Sequence, residues 1–416
     1  MVAPFLPDAE KQAAIRVALP ALAAGIYLNT GSAGPMPAET AAAMADMADR
    51  ERDVGRGHAD AFEETLVRMA EARAGVAAVI GTEVSAVGLS HSTTDAMNAG
   101  TLALDWRSGG RIVTTTGEHL GGLGPAYALR DRGAEVVFVD IDDDGAGADA
   151  DDVRILAAFD AAITRDTRLV SLSHVLWTTG TVLPVAAIAE LAHARGAMVI
   201  VDGAQAAGAI PFRFDELGAD LYAVPAQKWL LGPEGMGALV AAPSALDRLV
   251  PAGAGWFSFE RGDSTGDAVW WADARRFESS NYHRPSIVGM ARSLGWLSMY
   301  VGLDYVHRTG MARALAMAHR LAEIKGVTVL TPTDRMATLV TFRIAGWTAQ
   351  AALDELGARV FAIARTIGSL EAIRLSVGFF NTSEELERLA EVVELLAAHT
   401  PDTLPPRRRL TILDDG

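Results

Sequence analysis

Residues 198–237 read MVIVDGAQAAGAIPFRFDELGADLYAVPAQKWLLGPEGMG. Residues 198–201 are a continuous apolar run that stops at Asp202, the pattern of a parallel strand buried on both faces and ending in a carboxylate. A second run, 221–224, ends four residues before Lys228, which precedes Trp229, two leucines and a Gly-Pro turn. Open α/β sheets bind ligands beyond the carboxyl ends of their strands, where both side chains fall. A lysine among apolar neighbours loses hydration, so its neutral amine becomes a nucleophile toward carbonyls and forms Schiff bases. An aspartate on a neighbouring strand end keeps a pyridine nitrogen protonated, and this Lys and Asp combination is how proteins hold pyridoxal phosphate. Taken alone, the two residues are equally compatible with a snorkelling lysine and a helix-capping aspartate.

Composition narrows the classes. At 416 residues, half of them hydrophobic, the chain suits a large domain plus a smaller one. Lys+Arg 36 against Asp+Glu 52 gives a net charge of −16, which argues against nucleic acid or an anionic membrane as the main partner. A local basic pocket for a phosphate is compatible with that balance. The absence of cysteine excludes disulfides, thiolate metal sites and any cysteine nucleophile or persulfide carrier. Asp8 and Glu10 stand before a short apolar stretch broken by Pro20 and Gly25, neither a signal peptide nor a spanning helix, so a soluble cytoplasmic protein is expected.

Other segments repeat the strand-to-turn pattern. In AVGLSHSTTDAMNAG, residues 86–100, a short strand runs through Ser92, Thr93 and Thr94 into a helix, and hydroxyls with free N–H groups at a helix start suit a phosphate or simply cap the helix. RIVTTTGEHLGGLGP, residues 111–125, sets Glu118 and His119 at a strand end, and RLVSLSHVLWTTGTVLPV, residues 168–185, does so for Trp177. The loop YLNTGSAGPMP, residues 27–37, holds two glycines and two prolines and is either a connector or a close backbone approach to a ligand. Trp256, Phe257, Trp270 and Trp271 form either core or an entrance wall, with the wall favoured, and Arg50, Arg52 and Arg56 lie on a solvated face or a subunit contact. Asp140, Asp142, Asp144, Gly145 and Asp151 have calcium-loop spacing but follow a strand and lack the final Glu, so they read as a solvated loop, with no metal site expected. Beyond about residue 285, long amphipathic helices alternate with short strands, an α+β layout.

Asp-Gly-Ala-Gln at 202–205 and QKWLLGPEGMG at 227–237, in order with the segments above, resemble the fold-type I pyridoxal-phosphate enzymes of the class V aminotransferase family. Cysteine desulfurases, isopenicillin N epimerase-like proteins and cystine C–S lyases belong to that family, and the resemblance runs from about Tyr27 to Leu386. It implies an α/β fold with a large domain, 30–284, built on a mostly parallel central sheet flanked by helices. A smaller α+β domain, 285–416, follows, and an N-terminal segment, 1–29, joins the small domain. It makes Lys228 the Schiff-base lysine and catalytic base, Asp202 the partner of the ring nitrogen and His119 the ring stacked on the pyridoxal face. Thr93 and Thr94 then hold the phosphate. Trp177 stands where the family often has an asparagine bonded to the pyridoxal hydroxyl, which leaves that bond to Gln205. Pro225 and Gln227 replace a serine and a histidine, and Gln227 retains a donor for the phosphate.

RRFESSNYHRPS, residues 275–286, resembles the family's Arg-Phe-Glu motif, whose hydroxyl residue, here Ser280 or Asn281, reaches the neighbouring subunit's phosphate across a homodimer interface. Arg374, in IRLSVGFFNTSEELERL, corresponds in the resembled family to the arginine that binds the substrate α-carboxylate; by itself, an arginine on a short strand more commonly pairs with a surface carboxylate. Arg365 is a second candidate for that role, and Ser32, in the 27–37 loop, a further substrate contact. Without cysteine, desulfuration through an enzyme persulfide is closed, which favours C–S β-elimination from cystine, an S-substituted cysteine or a cysteine sulfoxide, giving pyruvate and ammonia. The alternatives are an epimerase, an aminotransferase, a lyase for a non-sulfur group, or a non-catalytic pyridoxal-phosphate binder. The aromatic residues suggest a substrate larger than alanine.

Overall fold

The structure, a computed structural model, describes residues 7–141 and 152–407. Its centre is a seven-stranded sheet in the order Val87–Ser90, Gly237–Ala241, Leu221–Pro225, Met198–Asp202, Thr167–Ser173, Arg111–Thr115, Glu135–Val139. Only Gly237–Ala241 runs antiparallel to its neighbours. The central strands are buried along their whole length, which is why they are written as unbroken apolar runs and not as alternating ones. Each fully buried Val or Leu here contributes about 1.5–3 kcal/mol relative to exposure.

Helices cover the sheet. Thr93–Leu102 starts at Ser92, whose hydroxyl accepts from Asp95 N at 3.0 Å. Two helices follow the 27–37 loop, Ala38–Val54 and Ala59–Ile80, and Gly55, at φ 87°, ends the first. The second sheet is four-stranded and antiparallel, in the order Val327–Val329, Leu339–Ile344, Ala372–Ser376, Arg365–Ile367. It is backed by Leu303–Ala322, Ala349–Val360 and Ser383–Ala397. The last of these begins with a capping box, Thr382 with Glu385.

The N-terminal segment lies against this second sheet. Ile26–Tyr27 pairs in parallel with Ala362–Ile363, Ser376 N donates to Leu28 O at 2.8 Å, and Arg16 meets Glu385 at 2.6 Å. A division at 284–285 separates the two sheets but leaves the helix Arg284–Gly295 on the small-domain side. That helix packs on the large-domain side, where a Cβ at Gly289 would lie 2.6 Å from Met44 Sδ. Among the described residues no helix is long and apolar enough to cross a membrane. Of the calcium-like residues, Asp140 accepts from Thr116 Oγ1 at 3.2 Å, while Asp142, Asp144, Gly145 and Asp151 lie outside the described residues. Among the described residues no group of His, Asp or Glu is placed to hold a metal ion.

Candidate active site

Five parallel strands deliver side chains to one edge of the large sheet: Thr93 and Thr94 after Val87–Ser90, His119 after Arg111–Thr115, Trp177 after Thr167–Ser173, Asp202 at the end of its strand and Lys228 after Leu221–Pro225. Lys228 sits in a turn fixed from several sides. Gly232 N donates to Ala226 O at 2.8 Å and Gly34 N to Gln227 O at 2.7 Å. The 27–37 loop presses so closely here that a Cβ on Gly34 would lie 2.3 Å from Lys228 O. Lys228 Nζ has no hydrogen bond or ion pair among the described residues. Loss of water lowers its pKa, with the charges of Arg374 and Arg365 adding to the effect and Asp202 opposing it.

Asp202 is buried. Its Oδ1 accepts from Ala204 N at 2.9 Å, while Oδ2 carries no protein hydrogen bond among the described residues and faces Gly122, where a Cβ would come within 3.4 Å. His119 caps the helix Leu120–Arg130, its Nδ1 accepting from Gly121 N at 3.0 Å, which puts the proton of the neutral ring on Nε2. Withdrawal of the ring from water, reinforced by the charge on Lys228, lowers its pKa. His119 meets the Trp177 indole edge-on at 5.3 Å. Thr93 Oγ1 is buried without a partner. A Cβ at Gly121 would fall 2.5 Å from Thr94 Oγ1 and 3.1 Å from His119 Nδ1, so the helix start and the histidine are neighbours.

The opposite wall comes from the second sheet. Arg374 is fully buried, donates from Nη1 to Trp177 O at 2.7 Å, and leaves Nε and Nη2 buried without partners. Burial and the repulsion of Arg365 lower its pKa to about 9. Arg365 faces Arg374 across paired strands. It reaches Ser32 Oγ at 3.3 Å and lies 5.5 Å over the Trp177 ring. Ser32 Oγ in turn donates to Asn29 Oδ1 at 2.8 Å.

Gln205 is largely committed within the protein: Nε2 donates to Gly31 O at 2.8 Å and Oε1 accepts from the Trp229 indole at 3.0 Å, leaving one amide hydrogen for a ligand. The Gln227 side chain is half-buried and makes no hydrogen bond among the described residues. Ser280 and Asn281 are exposed and are not brought to this edge within the chain; the next residue, Tyr282, stacks on His91 at 4.7 Å and donates to Leu89 O at 2.6 Å. Trp256 and Phe257 stack on each other at 3.8 Å and on Phe62; Trp256 is exposed, while Phe257 is half-buried against the main core. Trp271 stacks under Arg275 at 3.6 Å.

Two groups with no role assigned from sequence emerge. Glu118 is buried and accepts from Thr115 Oγ1 (2.6 Å), Ser173 Oγ (2.6 Å) and Ser173 N (3.0 Å), with burial raising its pKa to about 7. Ser376 Oγ is buried without a partner. The hydroxyls that close the buried strands at Thr115 and Ser173 were the sequence signal for the first, and the second had none.

The class V aminotransferase family model, Aminotransferase class-V, matches residues 26–389. A probable cysteine desulfurase of Methanothermobacter thermautotrophicus is 26% identical over 402 residues, covering 92% of this chain and 97% of its own. Isopenicillin N epimerase of Streptomyces clavuligerus is 29% identical over 397 residues, covering 89% and 94%. The cystine C–S lyase C-DES, solved in complex with its reaction product cysteine persulfide, superposes with a TM-score of 0.83 at 26% identity over 90% of this chain and 99% of its own. In another structure of C-DES, glycine is covalently linked to a PLP cofactor. With the family model spanning most of its length, the chain belongs to the class V aminotransferases.

Proposed function

We propose that the chain is a pyridoxal-phosphate-dependent lyase that breaks the Cβ–S bond of a cysteine-derived L-amino acid. The observation that carries this reading is the convergence of an unpaired Lys228, the free Oδ2 of Asp202, the orphaned Thr93 hydroxyl and the unpaired nitrogens of Arg374 at one sheet edge, in a sequence without cysteine. The donor set fits the cofactor. The helix start at Thr93 and Thr94 suits a phosphate, Oδ2 of Asp202 suits a protonated ring nitrogen, the His119 ring suits a flat face, and Lys228 suits the carbonyl carbon. Bound there, pyridoxal phosphate supplies the electron sink.

The protein's part is positioning and proton transfer. Arg374 takes the α-carboxylate through its free nitrogens, which fixes the Cα–H bond relative to Lys228. The Lys228 amine, kept neutral more readily by loss of water, takes the Cα proton. The Cβ–S bond then breaks with its electron pair leaving on sulfur, and hydrolysis of the three-carbon remainder gives pyruvate and ammonia. Sulfur departs with its own substituent, since the chain offers no thiol to receive it.

Epimerisation is the second reading, supported by the similarity to isopenicillin N epimerase. It requires a proton donor on the opposite face of Cα, a place that His119 Nε2 could fill only if the ring left the cofactor face. A homodimer and a cytoplasmic setting complete the proposal. The exposed, otherwise unengaged Ser280 and Asn281, and the exposed stack of Phe62 and Trp256 (40% and 53% accessible), support an interface on that side. Pyruvate and thiol release from cystine and S-substituted cysteines, with Lys228→Ala as control, tests the lyase. Loss of Cα deuterium with inversion and without pyruvate would replace it by the epimerase.

A further inference from the structure

The large sheet has a second end, where its strands begin, and a cavity of about 710 Å³ opens there. Arg111, Thr167 and Met198 line it and are the first residues of the strands that lead to His119, Trp177 and Asp202 at the catalytic edge. Met198 and Asp202 stand at opposite ends of one five-residue strand, roughly 13 Å apart at the usual rise per residue, so the cavity is separate from the Lys228 site. Its volume is that of a small-molecule site.

The lining is rich in charge, and the charges do not cancel. Arg111 is closed by Glu135, with Nε donating to Oε2 at 2.9 Å and Nη2 to Oε1 at 3.2 Å. Asp105 is closed by the fork of Arg107, at 2.9 and 2.7 Å, and feels Arg168 at longer range. What remains is Arg165, Arg168 and Arg248, none with an ion pair among the described residues, against the single carboxylate of Asp166. The cavity thus holds a surplus of two positive charges in a chain of net charge −16.

Two of these arginines are held while keeping donors free. The Arg168 stem lies on the Gly110 backbone, where a Cβ would fall 2.4 Å from Cδ, and Nη2 donates to Ser108 Oγ at 2.5 Å. Arg248 Nη2 donates to Gly196 O at 3.0 Å. Nε and Nη1 of both, and the whole Arg165 guanidinium, make no hydrogen bond among the described residues. Nothing lies within 4 Å of a Cβ at Gly133 or Gly196, so the backbone there faces open space.

Guanidinium groups gathered in a cleft focus positive potential, and their planar forks match phosphate oxygens. A phosphate monoester carries about −1.5 to −2 charges at neutral pH, which answers the surplus. Buried Leu104 and Met198 supply an apolar floor. Leu104, Asp105 and Arg248 also line a neighbouring cavity of about 640 Å³ beside the half-buried Trp106, which gives room for a body attached to the phosphate.

We propose that the cavity where the strands begin binds a small phosphorylated molecule, its phosphate held by Arg165, Arg168 and Arg248. The site is independent of the lyase reading, because none of these side chains reaches the catalytic edge.

The test uses the pyridoxal-phosphate-loaded enzyme, so that the helix start at Thr93 is already filled. Calorimetric titrations compare glycerol 3-phosphate and adenosine 5′-monophosphate with glycerol, adenosine and inorganic phosphate. At least one ester binds more tightly than inorganic phosphate, and the neutral compounds do not bind. Arg168→Gln, which keeps a donor for Ser108, and Arg248→Gln each weaken the ester about 10-fold or more, the effect of losing a charge-assisted hydrogen bond. Arg168→Lys regains part of that, because the charge returns without the fork. Arg292→Gln, at an exposed arginine on the helix Arg284–Gly295, leaves binding unchanged. Unfolding midpoints and cofactor absorbance of the variants match the wild type, which establishes that they are folded and loaded. Absence of binding by both esters up to about 10 mM overturns the proposal. So does binding that survives Arg168→Gln and Arg248→Gln, or that falls equally with Arg292→Gln. Inorganic phosphate bound as tightly as the esters shows an adventitious ion only and overturns it as well.

Discussion

Gly31 is the position where a single methyl group tests the architecture of the site most sharply. A Cβ built there would lie 2.8 Å from Arg374 Nη2, 2.9 Å from Gln205 Oε1 and 2.9 Å from Ser376 Oγ, each about half an ångström inside ordinary contact. Clashes with side-chain ends are usually relieved by a rotation. Here all three residues are buried, and two of the three are tied. Arg374 Nη1 donates to Trp177 O at 2.7 Å. The Gln205 amide bridges Gly31 O and the Trp229 indole, beside Lys228. The methyl therefore displaces the guanidinium proposed to hold the α-carboxylate, the amide that braces the lysine turn, or both.

Overpacking of this kind costs about 1–3 kcal/mol of stability. A shift of half an ångström in a substrate clamp corresponds to roughly a 10-fold loss in kcat/KM, given that about 1 Å costs 100-fold. The loss should fall mainly on KM, because in the proposed mechanism Arg374 binds the substrate before any bond breaks. Steady-state kinetics of Gly31→Ala, with urea unfolding alongside, provide the assay. Gly124→Ala is the control, since nothing lies within 4 Å of a Cβ there. A Gly31→Ala variant with unchanged KM and unchanged stability would refute the claim that this loop is set against the arginine.

Three further outcomes follow from the same geometry. Asp202→Asn keeps the acceptor for Ala204 N, so the fold and cofactor binding should survive while turnover falls roughly 100-fold for loss of the charge facing the ring; near wild-type turnover would remove Asp202 from its proposed role. Glu118 has a folded pKa of about 7, above its ordinary value, so the folded state binds more protons than the unfolded state between about pH 4.5 and 7 and stability falls as pH rises through that window. The full effect is on the order of 3 kcal/mol, and urea midpoints of the cofactor-free protein at pH 5 and 8 should show it in the wild type and not in Glu118→Gln. Trp177→Phe removes a buried, unpartnered indole N–H while keeping the ring beside His119, so the cofactor-free protein should gain about 1 kcal/mol, measured by thermal unfolding; unchanged stability would mean that the N–H is hydrated.

Much of this arrangement was legible because it is built on strand ends. A parallel strand buried on both faces is written as an unbroken apolar run, so the first polar residue after it marks the sheet edge. Asp202, Lys228, His119 and the Thr93–Thr94 pair could all be placed in this way, and the structure puts them on one edge. Arg374 carried no such mark. An arginine on a short strand looks like any surface ion pair, and only the family resemblance pointed to a substrate role. What the linear pattern could not carry was pairing at a distance. The face-to-face register of Arg365 and Arg374 depends on how Arg365–Ile367 turns back on Ala372–Ser376. The capture of Gln205 by Gly31 and Trp229 ties the 198–237 stretch to a loop 174 residues away from Gln205 in sequence. The helix Arg284–Gly295 shows the same limit, since nothing in its sequence marks its close packing against Met44.

The unpaired groups are distributed in a way that bears on how the site works. Thr93 Oγ1 belongs to the large-sheet side, while Arg374 Nε and Nη2 and Ser376 Oγ belong to the second sheet. A buried donor or acceptor left without a partner costs about 1–3 kcal/mol, and a ligand that satisfies it stabilises the folded state by mass action. In the proposed site, cofactor and substrate therefore act on different walls. On that proposal the phosphate end answers the helix that starts at Thr93, and the substrate α-carboxylate answers Arg374. Trp177 joins the two, with its ring against His119 on one side, its carbonyl on Arg374 and its face under Arg365. The residue that departs from the family's asparagine thus stands where the cofactor wall and the substrate wall meet. Its ring provides there the aromatic surface over which Arg365 lies at 5.5 Å.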